Sequence, residues 1–211
     1  MTGDFTAQLA AARVLAIIRG TDTDAVIATG NALLASGVRL VEVALTTPGA
    51  LRAIEAIRAD APDGSLVGAG TVLTPADVAD VAAAGAQFVV TPAVVDSIPE
   101  AVGRGLPVAA GALTPTEAYR AVAMGASVVK LFPASLGGPG YLKALRDPFP
   151  TIPFVAVGGV GLAEMAAYLS VGAVAVGVGG PLVGDAASGG NLDELRARAR
   201  AYVAAARKGP A

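Results

Sequence analysis

The chain has 211 residues, of which 54% are hydrophobic and 15% charged, and carries a net charge of −2; this is enough to build one sizeable core, expected as a single domain over residues 1–211. Its few charges are scattered, which argues against nucleic acid or an anionic membrane surface as a partner. Cysteine and histidine are both absent, so disulfides, thiolate catalysis, Cys/His zinc sites and every histidine-based triad are excluded by inventory.

The N-terminal segment MTGDFTAQLAAAR carries an early acid, Asp4, and lacks a basic-then-apolar targeting pattern. The run VLAII then predicts a first strand at 14–18, closed by Arg19 and Gly20, and the following IIRGTDTDAV holds no nucleotide-binding glycine fingerprint. From there one pattern recurs: a helical stretch ends at glycine and a short apolar run follows. It appears as LLASGVRLVEV, VAAAGAQFVV, AVGRGLPVAA, AVAMGASVVK and YLSVGAVAVGV, marked by Gly37, Gly85, Gly105, Gly125 and Gly172. Glycine past a helix end supplies the left-handed position, and the Val-rich run after it is too short for another helix. The stretches ADAPDGSLVGAG and RDPFPTIPFVAVGG fill the two longer gaps with Pro and Gly breaks. Together these predict strands at 14–18, 38–45, 66–70, 87–91, 107–111, 127–132, 153–157 and 173–178, with helices between them.

Two of those helices start alike, at Thr74-Pro75-Ala76-Asp77 and Thr114-Pro115-Thr116-Glu117. Each offers an N-cap threonine, a proline at the first helical position and an acid two residues on. The uncharged stretch 165–184 is cut by Gly172, Gly177, Gly179, Gly180 and Pro181, and reads as helix, turn, strand and loop rather than a membrane span. A soluble, cytoplasmic protein is expected. Strands apolar on both faces, alternating with helices through eight units, imply a parallel sheet closed into a (β/α)8 TIM barrel; an open doubly wound sheet is the alternative.

Four ionisable residues fall in these strands or one position past them: Arg19, Arg39, Glu42 and Lys130. Arg39 opens its strand, whereas the others lie toward C-terminal ends, the face on which such barrels build active sites. Lys130, in GASVVKLFPAS, sits among Val128, Val129, Leu131 and Phe132. Burial there disfavours the ammonium and makes a neutral amine available as a nucleophile toward a carbonyl; snorkelling or pairing with a buried acid is the alternative. Glu42 alternates with Leu40 and Ala44 on the inner face of RLVEVAL, where it either moves protons at a raised pKa or pairs structurally with Lys130. Arg19, at the rim, has the fork to hold a carboxylate, or is solvated. Gly158-Gly159 and Gly179-Gly180 follow the seventh and eighth strands, where barrels commonly bind phosphate through backbone amides.

GAGTVL at 68–73, VKLFPA at 129–134, the acid of RLVEVAL and the closing FVAVGG resemble the 2-keto-3-deoxy-6-phosphogluconate aldolase family. That family also includes 2-keto-3-deoxy-6-phosphogalactonate and 4-hydroxy-2-oxoglutarate aldolases, and the resemblance runs from about residue 13 to 207. It implies a homotrimeric class I aldolase that works without a metal or organic cofactor, cleaving a phosphorylated keto acid to pyruvate and glyceraldehyde 3-phosphate. Carried over by position, Lys130 becomes the Schiff-base lysine and Glu42 the proton carrier. Thr71 and Arg19 hold the pyruvate carboxylate, Pro92 and Phe132 line the pocket, and Gly158, Gly159, Gly179 and Gly180 receive the phosphate.

Three positions depart from the family pattern. Thr46 stands where some members have a carboxylate-gripping arginine, Gly180 where many have serine, and Val157 where gluconate-type enzymes have threonine. Val157 matches galactonate-type enzymes and tilts the expected substrate that way. A barrel synthase or isomerase with no covalent intermediate, and a catalytically silent trimeric scaffold, are the alternative functions.

Overall fold

The computed structural model describes residues 5–208. Asp4 of the N-terminal reading, and positions 1–4 and 209–211 of the single-domain expectation, lie outside the described residues. Eight strands, β1 (Val14–Ile18), β2 (Leu40–Ala44), β3 (Leu66–Gly70), β4 (Val89–Val90), β5 (Val108–Ala112), β6 (Val128–Leu131), β7 (Phe154–Val157) and β8 (Ala175–Val178), pair in chain order. All pairings are parallel and β8 returns to β1. Helices follow the strands on the outside, so the expected (β/α)8 barrel is the fold. No helix among the described residues is long and apolar enough to cross a membrane.

The glycine-marked turns are the reason the repeats close. Gly37, Gly85, Gly105, Gly125 and Gly172 all have φ between 76° and 95°, the left-handed turn that a residue with a side chain adopts only with strain. Both threonine-proline helix starts form capping boxes, with Thr74 and Thr114 accepting from the amides of Asp77 and Glu117, whose carboxylates bond back to the N-cap amides. Strand β4 is shorter than the expected 87–91: the amides of Gln87 and Thr91 still donate to the Val67 and Ala109 carbonyls, but side chains take up other backbone amides at both ends. The Gln87 side chain accepts from the Val67 amide at 3.0 Å, and the Thr91 hydroxyl accepts from the Gly111 amide at 3.2 Å.

Strand alternation sorts the core into two layers. Val41, Val43, Val129 and Leu131 face the helices, whereas Leu15, Leu40, Leu66, Phe88, Val128 and Val155 fill the barrel. Of the neighbours expected around Lys130, therefore, only Val128 shares its face within the strand. The segment read only for targeting signals folds as helix Phe5–Ala12. It buries Phe5 and Leu9 in the barrel-filling cluster, with Phe5 stacked on Phe88 at 5.0 Å between ring centroids. Apolar packing closes the barrel at this end and leaves the other for chemistry.

Candidate active site

At the C-terminal ends of the strands the inner face carries three glycines. They are Gly70 of β3, Gly111 of β5 and Gly177 of β8, on strands whose lower inward residues include Leu66, Ala109 and Ala175. A cavity of about 220 Å³ opens there. Its lining includes Lys130 and Glu42, then Arg19, Thr71, Pro92 and Phe132, then Val157, Gly158, Gly159, Gly179 and Gly180. Every candidate from the sequence thus meets in one place. Ile17, Val160, Gly177 and Pro181 also line it; Gly177 and Pro181 stood out in the sequence only as breaks in the 165–184 stretch, and no sequence signal marked Ile17 or Val160 among many apolar residues.

Glu42 is only 2% exposed and Lys130 8%. No direct ion pair joins them: the ion pairs among the described residues are Arg52–Asp24, Arg104–Glu100, Arg196–Asp193 and Arg198–Glu194. The buried oxygen Oε2 of Glu42 has no hydrogen-bond partner at all. Burial raises the Glu42 pKa from 4.5 to about 7, against the opposing pull of the Lys130 and Arg19 charges. Burial likewise lowers the Lys130 pKa; Glu42 works against that shift and the Arg19 charge adds to it. Both groups are thereby moved toward neutrality near pH 7, the tuning expected of a proton carrier and a nucleophilic amine. The Lys130 Nζ lies 4.9 Å from the centroid of the Phe132 ring, a contact that favours the charged amine and keeps it over an apolar wall.

The Glu42 carboxylate has its place because of Gly70. A Cβ at position 70 would come within 2.5 Å of Glu42 Oε1. Across the cavity Gly158 and Gly159 have φ of 93° and 71°, turning the β7 loop so tightly that a side chain would press on Phe132 or Ser135. The β8 loop is open by contrast: a Cβ at Gly180 would meet nothing within 4 Å. Among the described residues, therefore, nothing sterically requires glycine at position 180.

Arg19 stands exposed at the end of β1. Its Nε donates to the Thr46 hydroxyl at 3.2 Å, so the position that departs from the family pattern is in contact with the residue expected to take over its work. Thr71 has φ of 60°, an outlier for a β-branched residue with a strain of order 1–3 kcal/mol. Such strain persists where the surroundings over-determine it, and Thr71 sits on the cavity wall after β3.

A family model described as aldolase, KDPG and KHG aldolase, matches residues 5–197. A probable 2-dehydro-3-deoxy-6-phosphogalactonate aldolase of Rhizobium meliloti (strain 1021) is 38% identical over 194 residues, which is 91% of this chain and 90% of that one. A solved structure described as native KDPGal superposes with a TM-score of 0.87 at 37% identity, covering 92% of this chain and 94% of that one. A KDPG aldolase from Legionella pneumophila was solved with pyruvate captured at low pH as a covalent carbinolamine intermediate; it superposes with a TM-score of 0.81 at 29% identity, over 98% of each chain. These matches run through the whole barrel and its open end, and the chain belongs to the KDPG and KHG aldolase family.

Proposed function

We propose that this protein is a class I aldolase that cleaves a 2-keto-3-deoxy-6-phospho sugar acid to pyruvate and glyceraldehyde 3-phosphate, with Lys130 as its Schiff-base residue. The observation that carries this reading is the meeting of a buried, unpaired Lys130 with a buried, protonatable Glu42 in a glycine-lined cavity at the open end of the barrel. Family membership supports the reaction class. The pyruvate adduct of the Legionella pneumophila relative supports a covalent route.

In the proposed sequence the neutral Lys130 amine attacks the C2 ketone to give a carbinolamine, and loss of water leaves an iminium. The Glu42 carboxylate takes the proton of the C4 hydroxyl as the C3–C4 bond breaks. The electron pair of that bond flows into the iminium, so an enamine of pyruvate remains and the aldehyde departs. Protonation of the enamine at C3 and addition of water then release pyruvate and restore the amine. Arg19 and Thr71 hold the carboxylate, Phe132 and Pro92 close the apolar side, and the amides of the 158–159 and 179–180 loops receive the phosphate. Among the described residues no cationic side chain other than Lys130 and Arg19 lines the cavity. Val157, an apolar wall where a hydroxyl would select the gluconate epimer, favours the galactonate sugar acid.

Single-domain organisation over 1–211, a homotrimer and a cytoplasmic location complete the proposal. Light scattering is expected to give three times the monomer mass, and any other multiple refutes the trimer. For the reaction itself, the protein is treated with pyruvate and borohydride and digested for mass spectrometry. A reduced pyruvyl adduct on Lys130 is expected; an unmodified Lys130 under conditions that label another class I aldolase refutes the proposal. Pyruvate release from the two C4 epimers, measured side by side, sets the substrate.

A further inference from the structure

At the open end of β1 the chain passes from Arg19 to Gly20, and two consecutive threonines in the loop after β2 grip that junction. The Nε of Arg19 donates to Thr46 Oγ1 at 3.2 Å, and the amide of Gly20 donates to Thr47 Oγ1 at 3.4 Å. Thr47 is 3% exposed. Its own amide donates to the Ala44 carbonyl at 2.9 Å, which mounts the hydroxyl on the end of β2. Behind the junction a Cβ on Gly20 would run into the Ala187 carbonyl and come within 2.7 Å of Val26 Cγ2. The backbone that carries Arg19 is therefore held from both sides.

The side chain is held as well. A guanidinium presents five N–H donors in one plane, and here Nε is engaged by Thr46. Arg19 forms no ion pair among the described residues, so its charge and both terminal nitrogens are available beside a cavity that it lines. An exposed arginine otherwise samples many rotamers, and fixing one makes each later contact less costly in entropy. With Nε occupied, the edge that remains for a carboxylate is the one formed by the two terminal nitrogens.

We propose that Thr46 and Thr47 form a clamp on the Arg19-Gly20 junction, in which Thr46 is a positioning residue that presents the terminal nitrogens of Arg19 end-on to the carboxylate of the pyruvyl unit. The clamp rests on the aldolase reading, with Arg19 as carboxylate anchor. It gives Thr46 a role where some relatives carry an arginine: the cation comes from β1 and its orientation from the loop after β2.

The test reads how much pyruvate is needed to trap Lys130 with borohydride, by intact mass, in the full-length protein and in Thr46→Val, Thr46→Ser, Arg19→Met and the Thr46→Val/Arg19→Met double variant. Thr46 is exposed, so these changes leave the core untouched. Thr46→Val is expected to raise the half-saturating pyruvate about fivefold with the maximal adduct on Lys130 unchanged. Thr46→Ser stays within about twofold of the parent, since its hydroxyl is kept. In the Arg19→Met background Thr46→Val adds nothing. An unchanged requirement in Thr46→Val, or an equal rise on both backgrounds, overturns the clamp. If Arg19→Met traps at the parental pyruvate concentration, the anchor and the clamp fall while the Schiff-base reading stands; if the parent itself gives no adduct, the aldolase reading falls.

Discussion

Glu42 and Lys130 face the same cavity from β2 and β6 without touching: each feels the other's charge, yet no ion pair forms and Glu42 Oε2 stays without a partner. A structural pair in this position would close up and satisfy its oxygens, because an uncompensated buried charge is costly. Under the proposed mechanism the substrate carbon chain lies between them, and burial favours the neutral form of each, raising the Glu42 pKa and lowering that of Lys130.

That state has a pH signature in stability. The Glu42 pKa rises on folding from 4.5 to about 7, so its contribution is complete below pH 4.5 and is lost as pH climbs through about 7. At about 1.4 kcal/mol per unit the loss amounts to about 3 kcal/mol. Glu42→Gln is expected to remove this decline, leaving the variant more stable than the parent at pH 8. Urea midpoints at pH 5 and pH 8 check it.

The same two groups govern rate. In the proposed mechanism cleavage needs Glu42 ionised and Lys130 neutral, so kcat/KM is expected to rise with pH, with one inflection near 7 from Glu42 and another at a lysine pKa below its usual value. Because the groups interact, these inflections belong to the pair. Glu42→Gln should abolish the first and reduce kcat by about 100-fold or more, read from pH–rate profiles, while the borohydride adduct on Lys130 still forms.

Gly70 gives a steric test of the same carboxylate. Gly70→Ala places a Cβ at 2.5 Å from Glu42 Oε1, and the carboxylate must swing away. A fall in kcat of about tenfold or more is expected with little change in KM for the keto acid, since a displacement of this size misaligns proton transfer. Steady-state kinetics decide it, and unaltered kcat contradicts the assigned place of Glu42.

Two substitutions address the substrate. Gly180→Ser adds a hydroxyl where nothing lies within 4 Å, and is expected to lower KM for phosphorylated substrates about fivefold without changing it for unphosphorylated ones. Val157→Thr keeps the volume of a residue only 4% exposed and adds a hydrogen-bonding group to the wall. The gluconate-to-galactonate ratio of kcat/KM should rise by about tenfold. Side-by-side pyruvate-release assays measure both.

Thr71 separates stability from function. With φ of 60° it is strained, whereas asparagine tolerates the left-handed region. Thr71→Asn is expected to stabilise the fold by about 1 kcal/mol and to raise the half-saturating pyruvate. Thermal melts and adduct titrations check the two effects together.

Much of this was present in the order of the residues. Glycine after five of the helices, and Val-rich runs apolar on both faces, specify alternating helices and buried parallel strands, because turn chemistry and burial are local demands. Lys130 and Glu42 stood out for the same reason: an ionisable group in an apolar strand needs an explanation that neighbouring residues alone do not supply. What the sequence could not show was which groups meet across the closed sheet. The Arg19–Thr46 contact links positions 27 apart, Gly70 serves a carboxylate on the neighbouring strand, and the helix Phe5–Ala12 fills the far end of the barrel. The sequence by itself determined the repeating units and the chemical groups at strand ends. Only tertiary closure decided the distances and burial that leave Glu42 and Lys130 unpaired, because those depend on the register of eight strands at once.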